Sequence, residues 1–186
     1  MRTASTPATG RRSRWSVQEL VVVGVFSAAV KISTMLVALI GGGPNPIGFI
    51  AKNLIFTTLF VVMLYKVRKS GTLTLFIGIN LLVNMMLLGA NLLLPAMLAA
   101  ALLAEGIVLL GGGINKAWGP VLGVAAYDFL SKLFSIGSSW LFMRENPALI
   151  YVSLVFIAIA YIGSIGGLFT GVRAVKELRH AGIIRN

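Results

Sequence analysis

Six polar side chains stand inside stretches that are otherwise apolar: Lys31, Lys52, Asn84, Asn91, Asp128 and Lys132. Lysine ammonium groups offer point charges to a carboxylate or phosphate, and asparagine amides both donate and accept hydrogen bonds. Such a set suits the binding of a small anionic or amphipathic molecule. The most informative stretch is 119–140, GPVLGVAAYDFLSKLFSIGSSW. Asp128 and Lys132 are four residues apart, so on a helix they share one face about one turn apart. Ser135 and Ser139 continue that face. A charge in hydrocarbon costs about 2.5–3.5 kcal/mol on insertion scales, so the face turns toward protein or a water-filled cavity. A pair that neutralises itself while packing helices fits the same spacing.

The elements that position these groups follow from composition. Of 186 residues, 58% are hydrophobic and 11% charged, more apolar surface than a soluble domain of this length hides. The expectation is an all-α integral membrane bundle of six transmembrane helices, at about 20 residues for each span. The net charge is +11. Basic residues flank the apolar stretches, which is the positive-inside pattern. No polar domain displays them, so nucleic acid is not an expected partner. The chain has no cysteine, which removes disulfides and thiolate metal sites.

Residues 1–15 read as a disordered basic cytoplasmic tail. Residues 16–178 form the membrane domain, and 179–186 a second cytoplasmic tail. The spans fall at about 16–40, 49–65, 72–89, 92–110, 118–141 and 148–170. The helix of the last one continues through Arg173, Lys176 and Arg179. Between the first two lies GGGPNPIG, 41–48, read as a loop, either an ordinary turn or a cover over a site. Gly163, Gly167 and Gly171 give two overlapping GxxxG repeats, and Gly24 with Ala28 a small-xxx-small pair. The amino tail, the 2–3 loop, the 4–5 loop and the carboxyl tail are basic, whereas the other loops together hold only Arg144 and Glu145. Both termini are therefore expected to be cytoplasmic, in a multi-pass protein of the plasma membrane.

By depth, at 1.5 Å per residue, Lys31, Lys52, Asn84, Asn91 and Lys132 fall in the outer half. Asp128 and Asn80 fall near the middle, and Glu105 toward the inner half. One outward-facing pocket of positive balance would gather the outer groups. Against it stands snorkelling, in which lysines reach the outer headgroups and bind nothing, and simple helix-to-helix bonding by the asparagines. Phe49, Trp140 and Phe142 are aromatics able to stack on a flat ring or to form an interfacial belt. Glu105 is a candidate to bond the 2–3 loop or the amino tail.

In the order of its parts the sequence resembles a substrate-binding S component of an energy-coupling factor (ECF) transporter. The features are the short charged opening SVQEL, 16–20, and the small-residue first helix. They include the Pro/Gly loop 41–48, the basic turn YKVRKSG, 65–71, and the stretch AAALLAEG, 99–106. The last is similar to the hydroxymethylpyrimidine/thiamine-type and MptD-type members. The resemblance spans about 16–178. It implies a binding subunit of an ABC-type importer that captures a vitamin or related micronutrient on the outer side. Its implied partners are a transmembrane T component, met by the small pair Gly24 and Ala28, and two cytoplasmic ATPases. The family's AxxxA-like pattern is met here with a glycine in its first place. No GxxxxGK[ST] stretch occurs in the chain, so the ATPases are expected as separate polypeptides. The only histidine is His180 in the carboxyl tail. A metal cargo held by an amino-terminal histidine is thus not expected, and neither is a cofactor.

An enzyme is not expected, because Asp128 and Glu105 lie at different depths without a histidine or cysteine beside them. The alternative function is a small secondary transporter or channel-like membrane protein needing no ATPase. A scaffold subunit using the GxxxG face of the last span is a further reading.

Overall fold

The structure is a computed structural model that describes residues 15–41, 45–89, 93–143, 145 and 147–184. Six helices follow one another: α1 Val17–Ile40, α2 Pro46–Lys66, α3 Thr72–Leu88, α4 Leu93–Leu110, α5 Gly119–Met143 and α6 Pro147–His180. No strand occurs among the described residues. By length and composition α1, α2, α5 and α6 are able to cross a membrane, and α3 and α4 are shorter apolar helices. At 17 and 18 residues these two reach about 26–27 Å at 1.5 Å per residue, close to the hydrocarbon thickness. The tail expected at 1–15 lies, but for Trp15, outside the described residues, as do loop residues 42–44.

Local chemistry sets the helix ends. Ser16 caps α1: its Oγ accepts the Glu19 N–H at 3.2 Å, and Glu19 Oε2 accepts the Ser16 N–H at 2.8 Å. The second helix begins three residues earlier than the glycine–proline run suggests. Asn45 is its N-cap and accepts the Gly48 N–H at 2.5 Å, with Pro46 in the first turn. A proline there loses no hydrogen bond, so a helix-breaking pair becomes a helix start. Helix α6 runs unbroken for 34 residues, longer than the roughly 20 a span needs, and carries Arg173, Lys176 and Arg179 of the basic tail.

Each helix touches two neighbours around the bundle, in the order α1, α3, α4, α5, α6, α2 and back to α1, while α2 also meets α5 across the middle. The closest approach is α2 against α6. A Cβ added to Gly163 would collide with the Ile50 carbonyl oxygen, and one on Gly167 would stand 2.6 Å from Thr57 Cβ. The GxxxG face is thus spent inside the chain on α2. That overturns the reading of it as a scaffold's external contact.

The basic ends gather at one end of the bundle, the inner end by the positive-inside rule. Lys69 pairs with Glu19 at 2.6 Å, the Tyr65 hydroxyl donates to the Ala117 carbonyl at 2.6 Å, and Lys66 reaches the Ile183 carbonyl. Glu105 does bond the 2–3 turn. Its carboxylate accepts the Gly71 N–H and the Thr74 hydroxyl, and the Thr74 N–H at 3.4 Å. Gly71, at φ 91°, caps α3 without a side chain, so a carboxylate from α4 takes that role at the positive end of the α3 dipole. Above these contacts the core is solid. Phe60 and Phe76 stack at 4.7 Å, and Val61, Met63, Leu64 and Leu73 are buried in the same core.

Candidate functional site

In the outer half the packing opens into a cavity of about 400 Å³ to which all six helices contribute. Helix α1 supplies Lys31 and Thr34, and α2 supplies Phe49, Asn53 and Phe56. Helix α3 gives Asn80 and Asn84, and α4 gives Met97. Helix α5 lays down Tyr127, Asp128, Ser131, Lys132 and Ser135, and α6 closes the wall with Ile157 and Ala160. The α5 set follows an i, i+1, i+4, i+5, i+8 stripe, one face of a helix, and the α2 set follows i, i+4, i+7.

The floor is aromatic. Phe56 and Tyr127 have ring centroids 6.4 Å apart; Phe56 rests on Phe60 and Phe76, and Tyr127 meets Phe60 edge-on at 5.7 Å. Phe49, in the wall, leans on Phe156 at 5.0 Å. The walls carry the polar groups. The Lys132 ammonium donates to Asp128 Oδ1 and, at 3.0 Å, to the Ser164 hydroxyl, which in turn donates to Asp128 Oδ1 at 2.8 Å. The Tyr161 ring lies 5.5 Å from the same ammonium, within cation–π range. Carboxylate, ammonium and hydroxyl thus form a closed, internally neutral cluster clamping α5 to α6.

Across the cavity Lys31 turns into the bundle and donates to Asn84 Oδ1. The lysine therefore does not snorkel along α1 toward the headgroups. Asn80 donates to the Ser27 hydroxyl at 3.3 Å and the Phe76 carbonyl at 2.9 Å, and Asn53 donates to the Phe49 carbonyl at 2.9 Å. An asparagine amide offers two donors and a two-lone-pair acceptor, so these contacts leave capacity for a guest.

A second space of about 500 Å³ adjoins the cavity, sharing Lys31, Thr34 and Asn84 and adding Lys52, Met35, Ala38, Leu39 and Leu87. It lies between α1, α2 and α3 toward the outer end. A groove of about 720 Å³ between α3 and α4 is larger, but its lining is almost wholly apolar, with Leu82 and Met85 exposed along it. Such a groove suits acyl chains, and the hydroxyl of its polar lining residue, Thr74, is already donated to Glu105.

A family model described as "Hypothetical bacterial integral membrane protein (Trep_Strep)" matches residues 17–150. The chain belongs to the Trep_Strep family. It is accordingly a multi-pass integral membrane protein, in agreement with the apolar helices above. No curated protein and no solved structure matches it. The Trep_Strep match runs from the start of α1 into the first turn of α6, and so takes in every polar residue lining the cavity; Ser164, which holds the Asp128–Lys132 pair from behind, lies beyond it.

Of the six residues singled out in the Trep_Strep sequence, Lys31, Asn84, Asp128 and Lys132 line the one cavity. Lys52 lines only the adjoining outer space, where its ammonium stands 5.8 Å from the Phe49 ring. Asn91 lies outside the described residues. Gly24 and Ala28 face away from the bundle: Ala28 is exposed, and a Cβ on Gly24 would meet nothing within 4 Å. Of the three candidate stacking aromatics, Phe49 lines the cavity and Trp140 is 61% exposed outside it; the Phe142 side chain lies outside the described residues.

Sequence reasoning missed Asn53, Phe56, Tyr127 and Ser164. The first two share the α2 face of Phe49, and Tyr127 adjoins Asp128 on its stripe, so spacing was the available signal. Ser164 was hidden in the glycine-rich face of α6.

Proposed function

We propose that this chain is the substrate-binding S component of an ECF-type importer, taking up a vitamin or related micronutrient. The observation that carries this reading is the cavity: about 400 Å³, polar and cationic on its walls, aromatic on its floor, and framed by all six helices. That size lies within the range of small-ligand sites. Below it the bundle is closed by the Phe60–Phe76 stack, so a ligand from outside is held without an open path inward. Release inside then needs the whole subunit to move, which is the task of a partner. The outward face of α1 with Gly24 and Ala28 is the place for the T component, since small residues permit close helix approach. The resemblance in the order of the parts supports the same reading.

The test is affinity purification of the tagged protein from its native membranes. A T component and two ATPases should accompany it, and ATP-dependent uptake should be lost when they are removed. Purification of the protein alone, with uptake surviving the loss of every ATPase partner, would favour a secondary transporter instead.

A further inference from the structure

The charges around the cavity are not equivalent. Among the described residues its lining carries two cations, Lys31 and Lys132, and one anion, Asp128. Lys132 is already matched: it donates to Asp128 and to Ser164, and its ammonium lies 5.5 Å from the Tyr161 ring. Among the described residues Lys31 holds only the neutral Asn84 carbonyl oxygen. The lining therefore sums to one positive charge, and that charge sits on α1.

We propose that the cavity binds a planar-ring monoanion, and that Lys31 alone supplies its counter-charge, with Asn84 orienting the lysine. This rests on the reading of the cavity as a substrate pocket. A monoanion brings the lining to neutrality, whereas a dianion leaves an excess negative charge and a cation adds to the positive one. In a low-dielectric site such imbalance is not screened. Lys31 also borders the outer space that holds Lys52, so an anion arriving from outside meets Lys52 first and Lys31 next, a short gradient of positive potential. The ring lies at the other end, over Phe56 and Tyr127, where offset or edge contacts with aromatic faces are available. The Asp128–Lys132–Ser164 cluster shapes the wall and does not take the anion.

Thermal stability of the purified protein tests this with probes matched in ring and differing in the charge of one substituent. The sets are nicotinate, nicotinamide and 3-aminomethylpyridine; 4-aminobenzoate, 4-aminobenzamide and 4-aminobenzylamine; and indole-3-acetate, indole-3-acetamide and tryptamine. The carboxylate of at least one set should stabilise the wild type with an apparent Kd about tenfold or more below that of its amide. Lys31→Gln should erase that preference and Lys31→Arg should keep it. Lys31→Glu should turn it toward the amine, a gain that a merely misfolded variant cannot show. Equal binding of acid and amide, or a carboxylate preference that survives in Lys31→Gln, overturns the assignment. Stabilisation by no member of any set overturns the pocket itself. Association with a T component and ATPases is scored separately, so carboxylate binding without those partners would sink the importer reading and leave the Lys31 assignment standing.

Discussion

The inner and outer halves of this bundle are built from the same six helices and do opposite things. The inner half is filled: Phe60, Met63 and Phe76 are wholly buried, and Val61 of α2 rests directly on Gly171 of α6. Among its polar groups, Tyr65, Lys69 and Glu105 tie one element to another. The outer half is open, and its lysines and asparagines surround a cavity instead of a core. The contrast shows that stability and binding are separated along the membrane normal. Helices fixed at one end are free to enclose a space at the other.

Substitutions separate the two halves, the inner packing being the most sensitive. Gly167→Leu puts a side chain where the Leu54 carbonyl oxygen and Thr57 Cβ stand 2.7 and 2.6 Å from a bare Cβ. Backbone cannot yield as a flexible side chain does, so a loss above about 4 kcal/mol is expected, seen as absence of a monodisperse peak in size-exclusion chromatography. Asp128→Ala leaves the Lys132 ammonium without its carboxylate in a largely buried site. A loss of about 3–5 kcal/mol is expected in reversible detergent unfolding, and the double variant Asp128→Asn with Lys132→Met should recover most of it. An equal loss in the double variant would show that the helices depend on the charges themselves.

Glu105→Ala uncaps α3 at the inner end. It should cost about 1–2 kcal/mol, the size of a lost N-cap, with ligand binding intact, and hydrogen exchange at Gly71 and Thr74 reads the local opening. Smallest in stability is Gly24→Leu, which meets nothing within 4 Å. Its unfolding midpoint should match the wild type within about 0.5 kcal/mol, while association with a T component, scored by co-purification, is lost. Retained association would remove α1 as the docking face.

The spans and the basic end were legible because hydropathy and loop charge are strong, local signals. Asp128 and Lys132 announced their shared face by spacing alone, and the depths of Lys31 and Asn84 placed them within reach across α1 and α3. The start of α2 was not legible, because Asn45 acts as a cap only when the chain after Pro46 is already helical. Phe56 and Tyr127 were missed for a different reason. By residue type alone an aromatic facing a cavity and one facing lipid look alike, and only the polar neighbours Asn53 and Asp128 on their stripes mark the inside face. For the same reason the GxxxG face of α6 declared a close contact without saying that α2 was its partner. Depth alone also set Lys52 beside Lys31, yet α2 carries it into the outer space and not the cavity.

The most direct test of the pocket is native mass spectrometry of the protein purified from its own membranes, wild type beside Lys31→Gln. The wild type should carry one small molecule per chain, released on denaturation as a ring-bearing monoanion, and the variant should be empty. A wild-type protein without any bound molecule, or a molecule retained at equal occupancy by Lys31→Gln, would contradict the account.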